Sequence, residues 1–157
     1  MQISIQNKSY TVEVSNKKFS KARVITTEDK IIIFLSDQDN INPKVLLNKW
    51  IRDYAKKLII KRVEDLAAEY NFAYNKISIR EQSTRWGSCS SQKNLNFNWK
   101  LILAPPYILD YVIIHELAHT IQLNHSAAFW KIVENIYPNY RECREWLRKH
   151  GETLNID

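Results

Sequence analysis

The sequence predicts an α+β fold, and three observations predict it. Residues 2 to 35 alternate apolar and polar side chains with the two-residue period of strands. Residues 43 to 70, and then 105 to about 150, recur instead at helical spacing. Between them, residues 76 to 99 return to alternation. The expected order is an N-terminal antiparallel β-meander, a long helix, a β-hairpin, a helix carrying His115 and His119, and C-terminal helices. At 157 residues, with 45% hydrophobic and 25% charged side chains, the chain suits one domain with a real core. The expected division is a β-rich part at about 1–36 and a core at about 43–150.

The meander rests on Ile3 and Ile5, then Tyr10, Val12 and Val14, around a turn at Asn7-Lys8. Ala22 and Val24, then Ile31 to Leu35, give two more strands around Glu28-Asp29. Asn42 before Pro43 is a good N-cap followed by proline at the first helical position. From there to about Tyr70, Val45, Leu46, Trp50, Tyr54, Leu58, Val63, Leu66 and Ala67 mark one helix, with Arg52, Lys61 and Arg62 among its acidic residues as a solvated face. Ile77 and Ile79, then Leu95, Phe97 and Trp99, bracket the hairpin. The chain has only two glycines, Gly87 and Gly151. Gly87 beside Trp86 permits a bulge or a close backbone approach.

Pro105-Pro106 opens the next helix, expected to run to about Gln122 with Ile108, Val112, Ile113, Leu117 and Ile121 as its apolar stripe. Ser126 reads as the N-cap of a helix through Phe129 and Trp130. A last helix starts at Pro138 and ends at Lys149-His150-Gly151, a basic last turn with a glycine stop.

Residues 115 to 125 read His-Glu-Leu-Ala-His-Thr-Ile-Gln-Leu-Asn-His. Four-residue spacing places His115 and His119 on one helix face, one turn apart. Glu116 points away from that face and can reach a metal-bound water without being a ligand. His125, past the helix end, can fold back as a third ligand. Three neutral imidazoles with an open fourth position suit a catalytic zinc ion, with Glu116 as general base. Chance placement of four His and ten Glu yields H-E-x-x-H in about 0.6% of such chains. Burying two imidazoles and a carboxylate mid-helix is also costly unless they are paired or bind metal.

Other features narrow the class. No apolar run approaches the length of a membrane span. The N-terminus lacks the basic-then-apolar pattern of a signal peptide, which places the expectation in the cytoplasm. Cys89 and Cys143 form no C-x-x-C and are expected as reduced thiols. The net charge of +6 is read either as a solvated basic surface or as attraction to an anionic partner. The basic residues are spread along the chain rather than gathered, which weakens a nucleic-acid reading.

The runs Thr84-Arg85-Trp86-Gly87-Ser88-Cys89-Ser90, Asn98-Trp99-Lys100-Leu101, Asp110 to His119, Asn124-His125-Ser126 and Phe129-Trp130 closely resemble the YgjP-like metallopeptidase-domain family, a relative of the SprT- and WLM-type zincins. The resemblance implies a zincin-like fold, zinc on His115, His119 and His125, and Glu116 as base. Peptide hydrolysis is the leading activity it implies. Hydrolysis of nucleoside triphosphates such as UTP on the same site is the alternative. A non-catalytic module, stapled by zinc and holding nucleic acid, is a third reading. An enzyme of either kind needs a group to stabilise the developing oxyanion. Arg85 is the first candidate, with Tyr137 or Tyr140 behind it. Strand addition along the hairpin would hold a peptide. Arg80, Arg85, Ser88 and Lys100 would instead receive phosphate.

Overall fold

The structure is a computed structural model describing residues 1–81 and 85–154. Thr84, which opens the Arg85-Trp86-Gly87 run, lies outside the described residues. The architecture is the expected mixture of α and β: two small sheets, four α-helices and short 3-10 turns.

The N-terminal sheet comprises β1 (Gln2–Ile5), β2 (Lys8–Val14), β3 (Arg23–Thr26) and β4 (Lys30–Phe34), in the order β1-β2-β4-β3. It is not a simple antiparallel meander, because β4 pairs with β2 in parallel. Residues 15–22 are long enough to carry the chain past one strand position. A tight turn, in which the Thr27 N–H donates to the Lys30 carbonyl at 2.9 Å, then returns β4 into the gap. Ile31 to Leu35 is the region's only continuous apolar run, so it takes the central place, with Ile31 and Ile33 buried.

The β1–β2 turn falls on Gln6 and Asn7, both at positive φ (51° and 66°), one residue earlier than expected. The Gln6 N–H donates to Ile102 O at 2.9 Å, and its side-chain amide donates to Ala104 O at 3.0 Å. The first sheet is thereby latched to the segment that leads into the histidine helix.

Helix α1 (Pro43–Tyr70) has the predicted bounds. The Asn42 side chain accepts from the Lys44 N–H at 2.9 Å. Asn71 ends the helix in the left-handed conformation at φ 60°. Leu47, Ile51, Ala55, Ile59 and Val63 form its buried stripe, one position on from the expected Leu46, Trp50, Tyr54 and Leu58, while Val45 and Tyr54 are exposed. Lys49–Asp53 and Lys61–Asp65 are the exposed i,i+4 pairs of a solvated face. Arg62 departs from that face: its Nε and Nη2 donate to the two Asp110 oxygens, each at 2.7 Å. This fork ties α1 to the next helix, and it holds the Arg62 guanidinium above its ordinary pKa.

Asp110→Ala should therefore cost about 1–2 kcal/mol, between an exposed pair and a buried one. The expected reading is a lower urea midpoint with an unchanged slope.

The second sheet has β5 (Lys76–Arg80), β6 (Gly87–Cys89) and β7 (Asn94–Asn98), ordered β5-β7-β6. β6 and β7 make the expected hairpin, and β5 adds in parallel along β7. β6 is thus an edge strand.

After a 3-10 turn (Trp99–Leu103), α2 spans Pro106–Ala118 and is buried on nearly every side. It ends four residues before the expected Gln122. The last bonds tighten to i→i−3, Thr120 to Leu117 O and Ile121 to Ala118 O, each at 3.0 Å. The Thr120 hydroxyl also donates to Leu117 O at 2.6 Å. Ile121, expected in the stripe, is consequently exposed.

α3 (Ala127–Ile136) starts from Ser126, whose hydroxyl accepts from the Phe129 N–H. α4 (Tyr140–His150) begins two residues after Pro138. No helix among the described residues is long and apolar enough to cross a membrane.

Candidate metal centre

α2 places His115 one turn before His119 by the four-residue spacing alone. The tightened end of α2 then folds residues 119–125 back, which brings His125 onto the same two rings. The Nε2 atoms of His119 and His125 lie 3.1 Å apart, and those of His125 and His115 lie 3.3 Å apart. One ligand atom from each ring lies within 4.8 Å of the other two.

Four-coordinate zinc with Zn–N of about 2.0–2.1 Å requires nitrogens about 3.3 Å apart. The three rings fit that spacing, and they could hold one metal ion while leaving a position open. Cys89 is not in this group. Its thiol is pushed up to about 11, by burial first and then by the Glu116 charge.

The outer ring nitrogens are held as well. His119 Nδ1 lies 2.9 Å from the Gln122 carbonyl, a contact that exists because α2 stops at Ala118. His115 Nδ1 lies 3.3 Å from the Tyr111 hydroxyl. With Nε2 facing the other rings, Nδ1–H is the donor in both.

Phe129, fully buried, backs all three imidazoles. It stacks on His119 at 4.3 Å and meets His115 and His125 edge-on at 4.9 and 5.1 Å. Trp130 adds a face against His125 and an edge against His115. Burial, before the charges of the other two rings, pulls His115 down to about 3, and it lowers His119 too. Burial thus favours the neutral form of His115 and His119 that metal ligation requires.

Glu116 is 5% exposed and lies beside β6. A Cβ on Gly87 would sit 2.9 Å from Glu116 Cγ and 3.0 Å from Oε2. Gly87 has no positive φ, so it is glycine for space and not for backbone freedom. Burial pushes the Glu116 carboxyl up to about 8, and Arg85 acts against that shift. A dication nearby would act in the same direction as Arg85.

Arg85, exposed, lines a cavity of about 180 Å³ together with Trp86, Tyr111, His115 and Glu116. The other oxyanion candidates are engaged elsewhere. The Tyr137 hydroxyl donates to Tyr107 O at 2.9 Å, and Tyr140 is buried against Trp130. Of the four residues considered for phosphate, only Arg85 reaches this cavity. Lys100 pairs with Glu81 at 3.6 Å, and the Ser88 hydroxyl accepts from Asn96 at 3.4 Å.

A second cation was not foreseen from the sequence. The Arg144 guanidinium lies 4.7 Å from the Trp130 ring centroid, and its charge acts on His115 and Tyr111.

The model of the YgjP-like, metallopeptidase domain family matches residues 1–150. The chain belongs to this family. The YgjP-like fold is shared with two archaeal structures. One is the metallopeptidase zymogen of Pyrococcus abyssi abylysin, with 20% identity, a TM-score of 0.52, and coverage of 60% of this chain and 93% of that one. The other is the metallopeptidase zymogen of Methanocaldococcus jannaschii jannalysin, with 26% identity, a TM-score of 0.50, and coverage of 62% and 97%. Comparison with curated proteins gives no match. Family membership makes this a metal-dependent peptidase domain.

Proposed function

We propose that the chain is a cytoplasmic zinc-dependent peptidase, with His115, His119 and His125 as metal ligands and Glu116 as general base. The observation that carries this reading is the convergence of three Nε2 atoms at 3.1 and 3.3 Å beside a buried carboxylate. Zinc held there would supply Lewis-acid polarisation and a more acidic water.

Each residue then has a task. Glu116 accepts a proton from the attacking water and passes it to the leaving amine. Arg85 places positive charge beside that carboxylate and toward the developing oxyanion. Tyr111 and the Gln122 carbonyl fix the ring orientations of His115 and His119. The two cysteines, both unpaired, suit a reducing compartment.

β6 favours a peptide over a nucleotide. Trp86 O accepts from Asn98 N, and Ser90 N donates to Asn94 O. By the alternation of antiparallel pairing, Gly87 and Cys89 direct their N–H and C=O groups away from β7. An extended chain adds at such an edge, along the strand that passes Glu116. A triphosphate needs converging cations; among the described residues Arg85 is the one Lys or Arg that lines the cavity, while Lys100 pairs with Glu81.

The test is turnover of the zinc-loaded protein on a denatured protein and, in parallel, on a panel of nucleoside triphosphates. Peptide cleavage that disappears with a chelator and returns with zinc is the expected result. Diphosphate release without peptide cleavage would reject the peptidase.

A further inference from the structure

The cavity beside Glu116 has walls of two kinds. His115 and Glu116 form one side, so whatever fills it adjoins the bond that reacts. Trp86, Val112 and Leu147, with Tyr111 and Gly87, form the rest, and Arg85 stands at the exposed rim. Its volume of about 180 Å³ slightly exceeds the roughly 150 Å³ apolar cavity that holds one benzene ring. It falls well short of the ~300 Å³ at which drug-sized ligand sites begin. That volume matches one side chain. A charged side chain entering it would lose water against an indole and two aliphatic walls.

The depth of the cavity depends on a contact from the far end of the chain. Trp86 is fixed through its backbone, whose carbonyl accepts from Asn98 N at 2.9 Å. Its ring lies against the 3-10 turn that follows α4. A Cβ built on Gly151 would lie 3.0 Å from Trp86 Cζ2 and 3.4 Å from Nε1. The sequence suggested Gly151 as a helix stop. Its φ is −56°, in the right-handed helical region, so the missing side chain serves the approach to the indole.

We propose that this cavity receives one apolar side chain of the substrate, of leucine to phenylalanine size, next to the cleaved bond, and that Gly151 sets its depth through Trp86. The proposal rests on the peptidase reading above for its substrate class. A side chain at residue 151 would push the indole toward Glu116 and shorten the cavity. Trimming Leu147, which is only half-buried, would lengthen it. The two changes therefore act in opposite directions.

Binding is tested first, without turnover. The protein is titrated with N-acetyl-leucinamide, N-acetyl-phenylalaninamide, N-acetyl-lysinamide and N-acetyl-aspartamide while the Trp86 indole N–H is followed by NMR, assigned through Trp86→Phe. The apolar amides should shift that signal, and the charged ones should not. No shift with any amide, or a stronger one with lysine or aspartate, overturns the pocket.

The zinc-loaded protein is then given a peptide library. Leu147→Ala should raise the preference for Phe over Leu about tenfold, in the range expected when a pocket changes by a methylene or two. Gly151→Ala should lower it, at equal zinc content. Preferences that stay fixed in both variants overturn the proposal. If the amides bind but no peptide is cut, the pocket stands and the peptidase reading fails.

Discussion

Glu116→Gln is expected to reduce peptide turnover about a thousandfold, within the range assigned to a positioned general base. Zinc content and fold should be retained, because the amide is isosteric and Glu116 is not among the three clustered nitrogen donors. A variant that keeps full turnover removes Glu116 from the reaction.

The metal-free protein offers a second readout. The folded-state Glu116 carboxyl lies at about 8, against an ordinary 4.5. The folded state thus holds a proton that the unfolded state has lost. This group's stability contribution is full below pH 4.5 and falls as pH rises toward 8. His115 has the opposite slope, because its folded pKa of about 3 lies below an ordinary 6.5. Its stability contribution is lost as pH falls from 6.5 to 3. Between pH 6.5 and 8 the Glu116 slope remains without that opposing one. The wild-type apoprotein should lose stability across that window, measured by urea midpoint, and Glu116→Gln should lose less.

Gly87→Ala is the second large effect. The added carbon would stand 2.9 Å from Glu116 Cγ, 3.0 Å from its Oε2 and 3.2 Å from the Asn96 carbonyl. The carbonyl belongs to the β6–β7 pairing and cannot retreat, so the carboxylate must. Misplacement by about an ångström costs on the order of a hundredfold in rate. The overpacking itself should cost about 1–3 kcal/mol. Zinc affinity should hardly change, since none of the three atoms nearest that Cβ belongs to a histidine. A Gly87→Ala protein with weakened zinc binding and normal kcat would contradict this account of the glycine.

Local signals were legible in the sequence where they carry their own chemistry. The Asn42-Pro43 and Ser126 caps each name a helix start, and the H-E-x-x-H spacing names a shared face. The cross-strand order was not, because periodicity shows which residues form strands and says nothing of their neighbours. β4 entering between β2 and β3 depends on the length of residues 15–22.

The α2 end was misplaced because Ile121 continues the apolar rhythm while the hydrogen bonds do not. Tyr111 carries a readable signal, four residues before His115 on the same helix face. Phe129 sits in a pair of adjacent aromatics just after His125. Arg144 has no signal of this kind, since only the packing of α4 on α3 brings it over Trp130.

The latch from Gln6 to Ala104 joins positions 98 residues apart. Closing so wide a loop is slow and entropically costly. The first strands precede that partner by 98 residues, so the latch closes only once both are made. The histidine helix follows directly behind that partner. Assembly of the proposed metal site is therefore tied to a long-range docking step, and convergence of the three histidines should trail formation of α1 in a refolding experiment.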